Sequence, residues 1–210
     1  MNLLLLIIAA YMLGSIPTAL WVSKVFFGID IREHGSKNMG ASNTFRVLGA
    51  AWGIFVLVVD MTKAIAAVYL ANYVEDTAWL GTEKMFWQLI FGLTAVAGHI
   101  FPVFAGFRGG KGVACLFGVV LAIQPWTAVI SIIAFLMVVM ITRYISLGSL
   151  IAVIVFAICV LFAVKEENIY FKWFAIIAAL LVFALHFSNI KRLLKGTENK
   201  FSFRKKKKDN

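Results

Sequence analysis

The sequence is poor in charged residues, cysteine and proline, and each shortage excludes a class of protein. Only 14% of the 210 residues are charged. With 62% hydrophobic residues and a mean hydropathy of +0.92, a soluble domain of this size could not bury its apolar surface. The two cysteines, Cys115 and Cys159, lie in apolar segments, so the sequence predicts neither a disulfide framework nor a metal site. These shortages indicate an integral membrane protein.

Several catalytic patterns are also missing. The stretch GFRGGKGVA at 106–114 suggests a nucleotide-binding loop, but a Walker A loop requires a first glycine and a final hydroxyl where this chain has Ala105 and Gly112. The acidic pair of diphosphate-binding prenyl transferases is missing. None of the three histidines is followed, five residues later, by the aspartate of peripheral acyltransferases. The sequence therefore predicts no ATP site and no cofactor.

Apolar runs of helix length recur along the whole chain, whereas a membrane barrel would show shorter alternating segments. They predict an all-α, polytopic membrane protein with about seven transmembrane helices, at 3–27, 48–74, 86–105, 112–124, 126–143, 147–164 and 171–190. Pro17 is expected to kink the first helix. The run at 112–124 is short for a bilayer crossing, so a five-span topology competes. Residues 1–200 are predicted to form one membrane domain, followed by a basic tail at 201–210.

The net charge of +10 is distributed unevenly between the two predicted faces. With seven spans and an outside N-terminus, one face receives only Lys84, Lys165 and Lys172. The other receives Lys24, Arg32, Lys37, Arg46, Arg108, Lys111, Arg143 and every cation beyond residue 190. Because cations concentrate on the cytoplasmic side, this face is predicted to be cytoplasmic, in a bacterial inner membrane. The charge is thus explained without a nucleic-acid partner, and the sequence carries no signal for an oligomeric state.

The first polar loop of this face, GSKNMGASNTFR at 35–46, has the composition of an anion site. Ser42 or Asn43 is expected to cap the helix that follows, whose free backbone N–H groups attract an anion. Arg46, one turn later, can add bidentate contacts to phosphate. A capped helix alone would not explain so many small polar residues beside an arginine. The candidate binding residues here are Ser36, Asn38, Gly40, Asn43 and Arg46.

The second polar loop, GHIFPVFAGFRGGKG at 98–112, combines glycines with two cations, Arg108 and Lys111. Gly109 and Gly110 allow the backbone to approach an anion closely, Lys111 supplies a point charge, and Gly112 opens the next helix. The alternative is a flexible loop near anionic lipid headgroups. His99 is expected to form structural hydrogen bonds rather than to act as a base.

Two further polar stretches follow. In RYISLGS at 143–149, Ser149 is equally consistent with helix capping and with a site role. In HFSNIKRLLKGTE at 186–198, His186 and Asn189 are three residues apart and are predicted to share a helix face inside an apolar stretch, where polar groups usually indicate a site. Asp60 and Lys63, within the second span, are predicted to neutralise each other in a structural or supporting role.

Together, these loops predict phosphate-binding chemistry at a membrane boundary, with a possible base in His186. The substrates are expected to be a phosphorylated polar molecule and a lipid-soluble one. A membrane transporter of phosphate or a small organic anion is the alternative function, although such a site usually lies near the midplane between paired repeats, and the sequence shows no repeat.

At these residues the sequence resembles the bacterial acyl-phosphate:glycerol-3-phosphate acyltransferases, which begin phospholipid synthesis. The matching motifs are GSIPTALWVSK at 14–24, DIREHGSKNMGASNTFR at 30–46, GHIFPVFAGFRGGKGVA at 98–114, RYISLGS at 143–149 and HFSNIKRLLKGTE at 186–198. The resemblance implies catalytic roles for Ser36, Arg46, Lys111, His186 and Asn189. It implies substrate binding by Asn38, Asn43, Gly109, Gly110, Gly112, Ser149 and Glu198. One departure is Ala64, where the family usually has glycine after Asp-x-x-Lys.

The resemblance also implies the reaction. A fatty acyl phosphate, with glycerol 3-phosphate as acceptor, would give lysophosphatidic acid and phosphate without a covalent enzyme intermediate. Cations and glycine-loop amides would stabilise the developing charge. The proton of the 1-hydroxyl would pass either to His186 or to a phosphate oxygen of a substrate, and the sequence does not choose between them.

Overall fold

The computed structural model describes residues 2–74, 83–163 and 168–201, and the regular elements within these ranges are helices. In chain order they are α1 (Leu3–Gly14), α2 (Thr18–Phe27), α3 (Ala41–Val47), α4 (Ala50–Tyr69), α5 (Lys84–Ile100), α6 (Val113–Ile123), α7 (Pro125–Thr142), α8 (Ile145–Ile158), α9 (Ile169–Leu185) and α10 (Phe187–Leu194). Short 3-10 helices cover Ile31–Glu33, Leu70–Tyr73 and Val103–Ala105, and a π-helical turn, Cys159–Ala163, extends α8. The prediction of an all-α membrane protein is confirmed.

Length and composition support four to six of the predicted spans in the part of the chain that the structure describes. Four helical segments are long and apolar enough to cross a membrane: Ala50–Tyr73, Lys84–Ala105, Pro125–Thr142 and Ile145–Ala163. Two bent pairs, α1 with α2 and α9 with α10, raise the number to six if each is one span. α6 is apolar but has 11 residues, about half the length that a bilayer requires. The count of seven spans and the outside N-terminus stay predictions.

The bend between α1 and α2 is the predicted proline kink. α1 ends at Gly14, Pro17 precedes α2, and the two axes differ by 43°. Because proline has no N–H and its ring clashes with the preceding turn, the helix cannot continue through it.

The last predicted span, 171–190, is interrupted. α9 ends at Leu185, the chain turns by 61° at His186, and α10 begins at Phe187. Contrary to the sequence prediction, His186 and Asn189 therefore do not lie on one continuous helix, because they belong to a helix junction and to a new helix. Both still lie near Lys111 and Glu198. The residues of α10 include two cations and a serine, which favour leaving the apolar interior of the bilayer.

The predicted cap of the second span is also wrong. A separate short helix, α3, begins after Gly40, and Gly49, with φ of 99°, breaks the chain before α4 starts at Ala50. Ser42 and Asn43 lie within α3 instead of preceding α4. Asn43 is 1% exposed, and its amide bonds back to the preceding loop rather than to a helix end.

Small residues let the helices beneath the polar loops approach closely. A β-carbon at Gly14 would lie 2.0 Å from the Ala95 carbonyl oxygen, so α1 and α5 are in backbone contact. At Gly118 a β-carbon would lie 2.5 Å from the Met61 carbonyl oxygen, which brings α6 equally close to α4. Such contacts are typical of membrane helices, where packing rather than the hydrophobic effect drives association. They fix the helix ends on which the polar loops sit.

Candidate active site

The glycine turn between Val103–Ala105 and α6 carries Lys111. Gly106, with φ of 63°, and Gly112, with φ of 72°, take left-handed conformations that suit glycine, and Gly112 is the N-cap of α6, as predicted. The Gly110 N–H donates to the His99 carbonyl oxygen at 3.1 Å. The turn is therefore folded directly onto the end of α5, with Lys111 beside the N-terminus of α6.

Lys111 connects this turn to α10. Its ammonium donates a hydrogen bond to Oδ1 of Asn189, which is 78 residues further along the chain. The amide group of Asn189 donates in turn to Oε1 of Glu198 at 2.7 Å. Lys111, Asn189 and Glu198, all predicted site residues, thus form one hydrogen-bonded chain.

Glu198 is the acceptor at the centre of the site. Its Oε1 also accepts from the Ser146 hydroxyl at 2.9 Å, and its Oε2 accepts from Nε of Arg192 at 2.6 Å. Burial raises the pKa of Glu198, but the hydrogen bonds from Asn189, Arg192 and Ser146 more than offset this, so the pKa lies below its ordinary value. Glu198 is therefore a carboxylate that holds α8, α10 and the C-terminal loop together.

The environment of Lys111 lowers the pKa of its side chain. Burial and, to a lesser extent, the positive charge of Arg192 lower the pKa of Lys111, Glu198 opposes them, and the net result is a pKa of about 8. At neutral pH the side chain is mainly a partly desolvated ammonium. Such a cation stabilises an anion more strongly than an exposed lysine does.

His186 lies buried at the junction of α9 and α10. Its Nδ1 lies 2.8 Å from the carbonyl oxygen of Val182. Because a carbonyl oxygen only accepts, the ring proton is assigned to Nδ1, which leaves Nε2 as an acceptor in the neutral imidazole. This arrangement suits a group that receives a proton.

In the first polar loop, the two asparagines organise the backbone. The amide of Asn43 donates to the carbonyl oxygens of Ile31 at 3.1 Å and His34 at 3.0 Å, and its Oδ1 accepts from Ser36 N–H at 2.8 Å. Oδ1 of Asn38 accepts from Gly40 N–H at 3.0 Å. Their side chains are thus engaged within the loop rather than presented to a ligand.

Ser36, Lys37 and Arg46 are the exposed polar residues of this loop, and two of them, Ser36 and Arg46, are predicted site residues. Within the described residues, the Arg46 guanidinium forms no hydrogen bond and no salt bridge, while its charge interacts with those of Glu198 and Arg192. Phe45, its neighbour, contacts Phe201 edge to face with 5.8 Å between ring centroids. α3 therefore stands beside the C-terminal part of the site, with a cation available for a ligand.

Arg32 ties the first loop to the glycine turn, a contact that the sequence analysis missed. Its Nη1 donates to the Ala105 carbonyl oxygen at 3.0 Å, while Nε and Nη2 form a bidentate pair with Asp30 at 2.9 and 2.7 Å. The Arg32 guanidinium holds the pKa of Asp30 well below its usual range. The only feature of the sequence that indicates this ion pair is that Asp30 and Arg32 lie two residues apart in a loop.

The structure separates the two serines of the RYISLGS stretch. Ser149, the predicted site residue, donates to the Ile145 carbonyl oxygen of its own helix at 3.0 Å and does not reach Glu198. Ser146 does reach it. Because the two residues are three apart on α8, they occupy nearby but different positions around the helix, and sequence spacing alone did not distinguish them.

An apolar cavity of about 70 Å³ lies next to this polar cluster, among α6, α7, α8 and α9. Val113, the residue after Gly112, lines one part of it, and Val182, whose carbonyl oxygen contacts His186, lines another. Its other lining residues include Leu116, Phe117, Val120, Ser149, Val153 and Phe156. An apolar ligand group and a phosphate could therefore be bound side by side.

A buried charged group lies beneath the glycine turn. Lys63 Nζ is 2.8 Å from Asp60 Oδ1 and 3.1 Å from His99 Nδ1, and it donates to the Ile16 carbonyl oxygen at 2.8 Å. The predicted pairing of Asp60 with Lys63 is therefore present, and His99 has structural contacts. Within the described ranges, no three His, Cys, Asp or Glu side chains could together hold a metal ion.

Fold and site define a polytopic helical membrane protein with a cluster of cations and hydrogen-bonded polar side chains at the ends of its helices. Residues 4–196 match the family model for glycerol-3-phosphate acyltransferase. The glycerol-3-phosphate acyltransferase of Fusobacterium nucleatum is 40% identical over 200 residues, covering 94% of this chain and 97% of that protein. The Listeria monocytogenes protein of the same name is 41% identical over 206 residues, covering 96% and 98%.

Solved structures agree with the sequence relatives. Crystal structures of PlsY (YgiH), an integral membrane glycerol 3-phosphate acyltransferase, match with TM-scores of 0.84 for the glycerol 3-phosphate form and 0.81 for the lysophosphatidic acid form. Both are 35% identical to this chain, and the matches cover 95% and 96% of it and the same shares of those chains. This chain belongs to the glycerol-3-phosphate acyltransferase family, and it is an integral membrane acyltransferase of phospholipid synthesis.

Proposed function

We propose that this chain transfers a fatty acyl group from an acyl phosphate to the 1-hydroxyl of glycerol 3-phosphate, giving lysophosphatidic acid and phosphate. The observation that carries the proposal is the position of Lys111. Its ammonium sits beside the N-terminus of α6 and is bonded to Asn189, and an apolar cavity begins at Val113. An acyl phosphate has this combination of a charged head and an apolar chain.

The two substrates each carry a phosphate, and the site offers two cations on different elements. Lys111 is proposed to bind the phosphate of the donor, next to the cavity that would take the first part of the acyl chain. Arg46, exposed on α3, is proposed to bind the phosphate of glycerol 3-phosphate. Glu198 interacts electrostatically with both cations and would orient them.

The reaction balances without a covalent enzyme intermediate. The 1-hydroxyl oxygen attacks the acyl carbon, the bond between that carbon and the phosphate oxygen breaks, and phosphate leaves with its electron pair. Lys111 and the N–H groups at the start of α6 would stabilise the tetrahedral oxyanion and the departing phosphate. Fixed charges of this kind contribute on the order of 3–4 kcal/mol each to lowering the barrier.

The hydroxyl proton has two candidate acceptors. The hydrogen bond between Nδ1 of His186 and the Val182 carbonyl oxygen supports His186, because it leaves Nε2 unprotonated. A phosphate oxygen of a bound substrate is the other candidate. In His186→Asn, a loss of activity at every pH supports the imidazole, whereas retention of most of the wild-type rate supports the phosphate.

We also propose that the site faces the cytoplasm of the inner membrane. The support is the charge asymmetry of the sequence, since the predicted topology puts Arg46, Lys111 and Arg192 on the basic face. Glycerol 3-phosphate, a small polar anion, would then reach the site from water, while the donor would reach it from the lipid.

A phosphate-release assay tests the function. The purified protein should release phosphate from a long-chain acyl phosphate only when glycerol 3-phosphate is added, with lysophosphatidic acid formed in equal amount. Equal rates with acyl-CoA would assign the chain to another donor class. Counterflow of labelled phosphate in liposomes without any acylation would favour the transporter instead.

A further inference from the structure

The two faces of α10 meet different environments. On one face Asn189 is buried and bonded to Lys111, Arg192 is bonded to Glu198, and Ile190 and Leu193 pack against the main hydrophobic core. On the other face Phe187 is 60% exposed and Leu194 is 84% exposed. Lys191 and Lys195, four and eight residues after Phe187, are exposed on this same face.

This exposed face differs from the exposed faces of the spans. On α7 the exposed residues are apolar, among them Ile130, Ile133, Met137 and Ile141, as contact with lipid tails requires. On α10 two large apolar residues alternate with two cations, and the Lys191 ammonium lies 4.5 Å from the centre of the Phe187 ring. Mixed faces of this kind lie at the depth of the headgroups, with apolar side chains in the acyl region and lysines among the phosphates.

The position of α10 in the chain places it at that depth. α9 is an apolar helix of 17 residues, and α10 leaves its end at an angle of 61°. A bend of 61° turns the axis of α10 from that of α9 toward the membrane plane, and its two cations favour the headgroup region over the apolar interior. The bilayer is therefore the partner nearest to the exposed face.

We propose that the outer face of α10 binds anionic phospholipid headgroups, through Lys191 and Lys195, and that this contact holds Asn189 and Arg192 in the active site. The site contacts are made by one face of α10, a helix of eight residues, and the lipid contact is made by its opposite face together with Lys195, which follows the helix. A shift of α10 away from the membrane would displace two residues at once: Asn189, which is bonded to Lys111, and Arg192, which is bonded to Glu198. The surface charge of the membrane thus sets the geometry of the site.

The first experiment measures the lipid contact without any assay of activity. In a Cys115→Ala, Cys159→Ala background, Leu194→Cys carries an environment-sensitive fluorophore, and the protein is placed in nanodiscs with about one third phosphatidylglycerol. We expect blue-shifted emission and strong quenching by lipids with a nitroxide just below the headgroup. Glu33→Cys, in the exposed first loop, is the control, with weak quenching. Equal quenching at both positions would overturn the proposal. The same result is expected if a protein partner, missing from the nanodisc, covers this face instead of lipid.

The second experiment rests on the proposed function and measures kcat and KM in nanodiscs of neutral phosphatidylcholine, with and without phosphatidylglycerol. Anionic lipid repels both anionic substrates, so an effect on substrate concentration would raise KM. Binding of anionic lipid to α10 should instead raise kcat, by roughly threefold or more. Lys191→Gln with Lys195→Gln should lose this gain and keep the rate found in neutral lipid.

Two further double variants serve as controls for the loss of charge at Lys191 and Lys195. Lys84→Gln with Lys172→Gln removes the same charge at the other ends of α5 and α9 and should keep the gain in kcat. Lys191→Arg with Lys195→Arg should restore it, because a cation of either kind binds the headgroup phosphate. An unchanged gain in the Lys191→Gln, Lys195→Gln protein would overturn the coupling. Absence of acyl transfer by the wild type in every lipid would count against the proposed function, and the fluorescence result would still decide the lipid contact.

Discussion

The imidazole of His99 occupies the space that a side chain at Gly110 would fill. A β-carbon at Gly110 would lie 2.2 Å from Nε2 of His99, well inside van der Waals contact. At Gly109 the corresponding atom would lie 2.1 Å from the His99 carbonyl oxygen. Gly109 and Gly110 are therefore required by packing against the end of α5, whether or not a phosphate approaches their backbone.

This contact predicts the effect of Gly110→Ala. The added methyl group should displace His99 or the turn, with a loss of unfolding free energy of about 1–3 kcal/mol, the range for overpacking a tight site. Both the melting temperature in detergent and kcat/KM should fall. Gly106→Ala is the control, because no atom lies within 4 Å of its β-carbon and only backbone strain at φ of 63° is added. A normal melting temperature in Gly110→Ala, with activity lost, would assign this glycine to anion approach alone.

Lys111→Met tests the charge in the turn. Kcat/KM should fall by roughly 10²-fold or more, the scale of removing one preorganised charge from a transition state, with insertion and melting temperature retained. Lys111→Arg should recover part of the activity, since a planar fork replaces a compact ammonium. Lys84→Met, at the far end of α5, is the matched control and should leave kcat/KM unchanged. Near-normal turnover of Lys111→Met would make the turn a lipid-contacting loop.

The lowered pKa of Lys111 predicts an alkaline limit to activity. Below about pH 8 the side chain is an ammonium that can bind phosphate, and above it the charge is lost, so kcat/KM should fall as the pH rises through that value. Bound phosphate stabilises the ammonium, so the corresponding limb of kcat should lie at higher pH. Lys111→Arg should remove this limb, because arginine keeps its charge throughout the range. The same limb in Lys111→Arg would point to another titrating group.

The two serines of α8 provide a paired test of the site around Glu198. Ser146→Ala removes a 2.9 Å hydrogen bond to Glu198 and should lower kcat/KM by roughly 5–10-fold, equivalent to about 1–1.4 kcal/mol. Ser149→Ala removes a bond to the helix carbonyl of Ile145 and leaves the wall of the cavity apolar, so the rate should stay near that of the wild type. Steady-state kinetics of both variants decide the point. A larger loss of kcat/KM in Ser149→Ala than in Ser146→Ala would show that Ser149, and not Ser146, acts in the site.

Cysteine labelling tests the predicted topology. In a background without Cys115 and Cys159, cysteines at Lys37 and Arg108, both exposed, should react with an impermeant thiol reagent only from the cytoplasmic side. Cysteines at Asp76 and Glu166, which lie outside the described residues, should react only from the other side. Position 108 is preferred to 109, where a β-carbon would collide with His99. Labelling of position 108 from outside would reverse the orientation.

The sequence by itself determined the class of protein, the approximate helices and the loops that carry the site. These features are local: hydropathy over about twenty residues predicts a membrane helix, and Pro17 or Gly112 interrupts a helix wherever the chain goes next. The loop motifs likewise identified Lys111, Asn189 and Glu198, although nothing in the sequence showed that they touch.

Tertiary structure decided which polar groups meet. Lys111 and Asn189 come together across 78 residues because α6, α9 and the bend at His186 bring their loops to one place. The same packing gave Ser146 rather than Ser149 the bond to Glu198, and turned Asn43 inward to hold its own loop. A hydrogen bond depends on tenths of an ångström and on direction, and these follow from how helices cross rather than from the spacing of residues along the chain.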